Sequence, residues 1–177
     1  MFLIVLFGTS FSKEGFWHMQ APKYHNINFG LGASASGWAC YKIEVLITGK
    51  EGMSYGAKIS GINELALFGD SPSEGLGGID FLFGYSFVQR FFKMDLLSGV
   101  GKVSQTKRGE LIGDLCDTFL CSNTYEKVQR SSLGIPLQIS LVPNLKYVGL
   151  GVSFMANLNT LQPFAGFVVT LGLGTFW

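Results

Sequence analysis

The residues of this chain that could do chemistry are few, and the most regular of them are charged residues at alternate positions of short segments. Charged residues make up 14% of the chain, against about 25% in a typical soluble domain. Residues two apart in a strand share one face. Seven charges fall mid-segment on one predicted face: Lys42, Glu44, Lys58, Asp80, Lys93, Asp95 and Arg130.

Two kinds of chemistry fit such a charged face. The charges could line a polar conduit or ion site, or they could form an ion-pair network that fills a narrow enclosed space. Buried charges of one sign would be costly without compensation, and here the signs nearly balance. We favour the network, and Glu64 would join it if its strand has no bulge.

Catalysis has little support in the sequence. Hydrolysis needs a nucleophile beside a base, or a metal, whereas the two histidines, His18 and His25, precede the first predicted strand. We therefore expect no enzyme activity, no metal and no cofactor. The alternative is an enzyme acting on lipid or peptide, which would use acidic pairs such as Glu44 with Asp80 or Asp95.

The three cysteines are an odd number, and two of them lie close together. Cys116 and Cys121 could form a disulfide in an oxidising compartment, but their spacing alone does not decide whether they pair. Without a nearby histidine they make a poor metal site. Cys40 is predicted to be a lone packed thiol.

The elements that position these residues have a period of two, which is the signature of β-strands. Many of them reach the ~9–11 residues that a tilted membrane strand requires. The longest apolar run, Met1 to Phe7, is far below the ~20 residues of a membrane-spanning helix. Eight segments alternate: 27–36, 41–48, 53–67, 79–87, 92–97, 132–141, 148–156 and 167–174.

The two faces of these segments differ in a way that predicts their surroundings. One face is rich in Gly, Ser, Asn and Thr, which fit a narrow lumen, and the other is continuously apolar, as a lipid-facing belt should be. The alternative is a soluble lipocalin-like ligand-binding barrel, in which Phe81, Phe83 and Leu137 would point inward.

The connections support a membrane barrel, because three of them, at 49–52, 88–90 and 142–145, are tight and the others are mostly longer. We predict an all-β, closed, antiparallel up-and-down transmembrane β-barrel of about eight strands in a bacterial outer membrane, with both termini in the periplasm. Outer-membrane lipid is then its first partner. A net charge of +1 gives no indication of nucleic-acid binding.

The two ends of the chain carry further signals. Residues 1–12 are predicted to be a signal-peptide remnant, residues 13–25 an N-terminal periplasmic segment, and residues 26–177 the barrel. Thr170, Gly172 and Trp177 resemble the C-terminal signal that the outer-membrane assembly machinery reads, although Thr175 stands where a hydrophobic residue is usual.

The segment from about 104 to 126 is predicted to be the longest outside loop. It contains more apolar residues than a plain solvated loop, including Leu111, Ile112 and Phe119. These would either fold over the barrel mouth as a lid or form a surface that contacts a partner. We favour the lid.

Several turn and strand motifs, at 68–72, 133–137, 147–152, 156–159 and 164–166, resemble small outer-membrane β-barrel proteins of Bacteroidetes-type bacteria. The resemblance covers most of the chain after Asn26. It implies the fold and carries no reaction and no catalytic residues. The expected function is a structural or accessory role, as the membrane partner of a larger protein complex.

Overall fold

A computed structural model describes residues 24–49, 51–64, 72–89, 91–117, 120–143 and 147–175, with only the backbone described at 114–117, 120–123 and 175. The predicted signal remnant and Trp177 lie outside these ranges. Within them, no helix is long and apolar enough to cross a membrane.

The described residues form eight strands that close into one antiparallel barrel, as the alternation predicts. Each strand pairs with the next along the chain, and β8 pairs with β1 from His25 opposite Thr175 to Ser34 opposite Gly166. The strands are β1 (Tyr24–Ser34), β2 (Ala39–Thr48), β3 (Met53–Asn63), β4 (Gly75–Val88), β5 (Phe92–Asp117), β6 (Leu120–Pro143), β7 (Val148–Asn159) and β8 (Phe164–Thr175).

The outer face of the barrel is apolar along most of its length, whereas most of the buried side chains are polar or charged. Phe81 and Phe83, which a soluble ligand-carrying barrel would direct inward, are 67% and 59% exposed, whereas Lys58 is 2% exposed. Exposed Leu, Ile, Val, Phe and Tyr side chains occur on all eight strands. A belt of this kind is what a lipid environment requires.

Glycine allows the strands to approach closely on the inner face. A Cβ atom on Gly99 would lie 1.8 Å from the carbonyl oxygen of Phe81 on the neighbouring strand, so no larger residue fits without moving the backbone. In the tight turn between β2 and β3, Gly52 has a φ of 86°, a conformation that favours glycine.

The predicted loop at 104–126 is wrong, because most of it is strand. β5 and β6 are 26 and 24 residues long, although β4 pairs with β5 only as far as Thr106 and β7 pairs with β6 only from Gly134. We call residues 107–117 and 120–133 the long hairpin. Residues 107–117 pair with residues 120–128 beyond the barrel, whereas residues 129–133 pair with residues 102–106 at its rim. Two register shifts, between Arg108 and Leu111 and between Leu111 and Gly113, interrupt its ladder.

Two smaller boundaries also differ from the prediction. β3 ends at Asn63 rather than near residue 67, and β1 begins at Tyr24, inside the segment that we expected to precede the barrel. Glu64 then donates its backbone N–H to the carbonyl of Glu74 at 3.0 Å, which closes the β3–β4 connection.

Candidate functional site

The lumen has an ion pair near the end of the barrel where β1 begins and β8 ends. Lys93 Nζ lies 3.0 Å from Asp95 Oδ1, and both side chains are buried. Lys93 also donates to Asn26 Oδ1 at 3.1 Å, and Ser86 donates its hydroxyl hydrogen to Asp95. This charge pair is therefore held by neutral polar groups from β1 and β4.

A second pair lies in the middle of the lumen. Lys42 Nζ lies 2.9 Å from Glu44 Oε1, and the same lysine donates to the Ser153 hydroxyl at 3.0 Å. Glu44 accepts further hydrogen bonds from Asn28 at 2.7 Å and from Gln138 at 2.6 Å. Side chains of β1, β2, β6 and β7 thus meet across the full width of the lumen.

The third pair follows directly from strand register. Glu44 lies opposite Lys58 in the β2–β3 ladder, and Lys58 lies opposite Asp80 in the β3–β4 ladder, so three strands bring alternating charges together. Lys58 Nζ is 3.3 Å from Asp80 Oδ2. Three lysines and three carboxylates balance in this buried network, which offsets part of the cost of removing them from water.

Between the network and the long hairpin, the lumen is closed by an apolar cluster that was not predicted from the sequence. Its members face inward from six strands, and Trp38 and Phe164 pack against them. The signal was available, since Ile62 and Val103 continue the inward phase of their strands with apolar side chains. The buried members are Cys40, Ile62, Leu76, Val103, Met155 and Val168.

Arg130 does not belong to the network, and this part of the prediction is wrong. It lies opposite Gln105 and so is on the face of the sheet that is turned toward the lumen. It is exposed, however, because β7 pairs with β6 only from Gly134 onward. Arg130 instead lines a cleft of about 270 Å³ on the long hairpin with Lys107 and Arg108. Glu64 pairs with Arg108 at 2.7 Å on the barrel rim.

The structure describes the side chains of only some of the other predicted site residues. Cys40 is a buried free thiol. The backbone register places Cys116 opposite Cys121, but their side chains lie outside the described set, so the disulfide stays a prediction. Thr170 is buried and within 2.9 Å of the Ser153 hydroxyl, and the assembly role of Thr170, Gly172 and Trp177 also stays a prediction.

The described residues contain no group of three His, Cys, Asp or Glu side chains that could hold a metal ion. His25 lies at the start of β1, where it is exposed. In the described lumen the side chains form charge pairs and hydrogen bonds with one another.

No family model matches the chain, and no curated protein matches it. Solved structures do. The N-terminal β-barrel domain of Pseudomonas aeruginosa OprF has a TM-score of 0.57 at 8% identity, over 88% of this chain and 99% of that one.

The attachment invasion locus protein Ail of Yersinia pestis has a TM-score of 0.57 at 10% identity, over 88% and 100% of the two chains. Neisserial surface protein A has a TM-score of 0.53 at 12% identity, over 87% and 95%. At these identities the likeness establishes the fold alone. The chain has the fold of the small eight-stranded outer-membrane β-barrels.

Proposed function

We propose that this protein is a non-enzymatic barrel of a bacterial outer membrane, in which the lumen is a structural core and the long hairpin contacts a protein partner outside the membrane. The observation that carries the proposal is the contrast along β5. Its first half contributes Lys93 and Asp95 to the buried network, whereas its second half extends beyond the barrel.

A filled lumen supports a structural role. The six buried charges bond to one another and to neutral side chains, and the apolar cluster lies across the lumen between this network and the long hairpin. An ion would have to break charge pairs and then cross apolar packing. We therefore expect no ion conduction by the folded barrel.

The long hairpin supports a contact role because the two apolar residues of the predicted loop whose side chains are described are exposed; Phe119 lies outside the described residues. Leu111 and Ile112 are 54% and 69% exposed, which favours the partner surface over the lid. A two-stranded ribbon also carries unpaired backbone groups along its edges, and these can pair with an added strand. Among the similar structures, one of Ail holds the heparin analogue sucrose octasulfate.

The test is site-specific photo-crosslinking in intact cells. A photoreactive residue at Ile112 should give a discrete protein crosslink, whereas the same residue at Phe81, in the apolar belt, should not give that product. A variant in which residues 109–126 are replaced by a two-residue Asn-Gly turn should keep a heat-modifiable gel shift, which reports the folded barrel. A crosslink of equal intensity from both positions would contradict the contact role.

A further inference from the structure

The outer wall of the barrel carries a polar strip where β5 and β6 leave the barrel. Its residues share the outward phase, and the register places Lys102 opposite Leu133, Ser104 opposite Ser131, Thr106 opposite Gln129, and Arg108 opposite Lys127. The cationic strip, as we call it, consists of Lys102, Ser104, Thr106, Arg108, Lys127, Gln129 and Ser131.

The cationic strip begins where the apolar belt ends. Lys102 lies between Ile79 on β4 and Leu133 on β6, and these two side chains are 58% and 81% exposed. Val100, two residues earlier on the same face, is also exposed. A lysine in this position can pack its methylene groups on the apolar surface and extend its ammonium group to the interface.

Further along the strip, hydroxyl groups and a second lysine line a cleft. The cleft has a volume of about 220 Å³, and Ser104, Thr106 and Lys127 lie on one side of it. Gly75 and Gly77 lie on the other side, and their lack of side chains keeps it open. Hydroxyl and ammonium groups are the donors that phosphate oxygens accept from.

The strip itself contains no carboxylate, and two acids lie beside it at Arg108. Glu64 pairs with the Arg108 guanidinium at 2.7 Å, and Glu74 accepts a hydrogen bond from the Arg108 backbone N–H at 3.1 Å. Lys102 and Lys127 therefore contribute uncompensated positive charge on the outer wall. Six residues of β5, or roughly 20 Å of strand, separate Lys102 from the position opposite Lys127. This span exceeds one phosphate group.

We propose that the cationic strip binds a lipid of the outer leaflet that carries more than one phosphate group, with its acyl chains on Val100, Ile79 and Leu133. The apolar neighbours of Lys102 select a phosphate attached to a lipid over a free one, because a soluble anion would leave them uncovered. This inference rests on the proposed membrane location and deepens the lipid contact.

The test measures binding of bisphosphorylated lipid A to the full-length protein in detergent by native mass spectrometry. The variant Lys102→Gln with Lys127→Gln removes two charges from the strip. Lys107→Gln with Arg130→Gln is the matched control, because it removes two charges from the opposite face of the same hairpin. The affinity of the strip variant for lipid A should be at least about tenfold lower than that of the parent protein. The affinity of the control should stay within about twofold of the parent.

Two further measurements identify what is bound. Dephosphorylated lipid A should bind the parent protein as weakly as lipid A binds the strip variant, and millimolar inorganic phosphate should not displace lipid A. Displacement by inorganic phosphate, or equal weakening in both double variants, would overturn the inference. The single variants Lys102→Gln and Lys127→Gln serve if the double variant does not fold.

The two proposals fail in different ways. If the protein stays soluble without detergent, the membrane location is wrong. If it requires detergent and shows the gel shift but binds lipid A equally in all variants, the location stands and the cationic strip has no lipid role.

Discussion

The two halves of β5 show how one strand can serve two environments. In the barrel half, Lys93 and Asp95 are buried and bonded to each other at 3.0 Å. In the long hairpin, Lys107 and Arg130 share the inward phase but remain exposed. The difference lies in the neighbours, because β4 pairs with β5, and β7 with β6, only in the barrel half. The charges of the complete barrel wall are therefore buried and paired, whereas Lys107 and Arg130 in the long hairpin are exposed.

The largest expected effect comes from removing one partner of the central pair. Glu44→Ala would leave Lys42 buried without its counter-ion and would also remove the acceptor for Asn28 and Gln138. We expect the free energy of unfolding to fall by about 3–5 kcal/mol. Urea unfolding in phospholipid vesicles, followed by tryptophan fluorescence, measures this change.

The matched control is Glu126→Ala, which removes the same side chain from an exposed position of the long hairpin. It should change the free energy of unfolding by less than about 0.5 kcal/mol. Similar losses in the two variants would remove the distinction between enclosed and open halves of the sheet.

The next effect is the coupling between Lys58 and Asp80, which lie 3.3 Å apart. Lys58→Met alone leaves a buried carboxylate unpaired, whereas Lys58→Met with Asp80→Leu removes both charges. The double variant should be more stable than the sum of the two single effects by about 2–3 kcal/mol. A double-mutant cycle of unfolding free energies gives this value, and additive single effects would show that the two charges do not interact.

Two glycines, one in the barrel and one in the long hairpin, allow the packing of these two regions to be compared. A Cβ on Gly101 would lie 2.0 Å from Asp80 Oδ1 and 2.7 Å from the carbonyl oxygen of Ile79, whereas a Cβ on Gly113, in the long hairpin, would meet nothing within 4 Å. Gly101→Ala should therefore destabilise the barrel by about 1–3 kcal/mol.

In the same measurement, Gly113→Ala should have almost no effect on the unfolding free energy. If both variants unfold at the parent's denaturant midpoint, the lumen around Asp80 is looser than these distances require.

The fold could be predicted from the sequence because a two-residue period fixes which side chains share a face. Lys58 and Asp80 were placed on one face by that phase alone, and the register then brought them together. The same reasoning failed for Arg130. The alternation of residues shows on which face of a strand a side chain lies, but it does not show where the neighbouring strands end.

The long hairpin was missed for a related reason. A two-stranded ribbon outside a barrel does not need one polar and one apolar face, so its sequence need not alternate. The register shifts around Leu111 further interrupt any two-residue period. The apolar cluster was missed because inward positions were expected to be polar, whereas Ile62 and Val103 are apolar and fully buried.

The smallest expected effect separates a lid from a free surface. Replacing Leu111 and Ile112 together by serine removes apolar side chains that are exposed, so the unfolding free energy should change by less than about 0.5 kcal/mol. A lid packed on the apolar cluster would instead lose about 1.5–3 kcal/mol for each large side chain withdrawn from a buried contact. Urea unfolding therefore decides between the two arrangements, because a loss of the larger size would mean that the long hairpin covers the lumen and is not free to contact a partner.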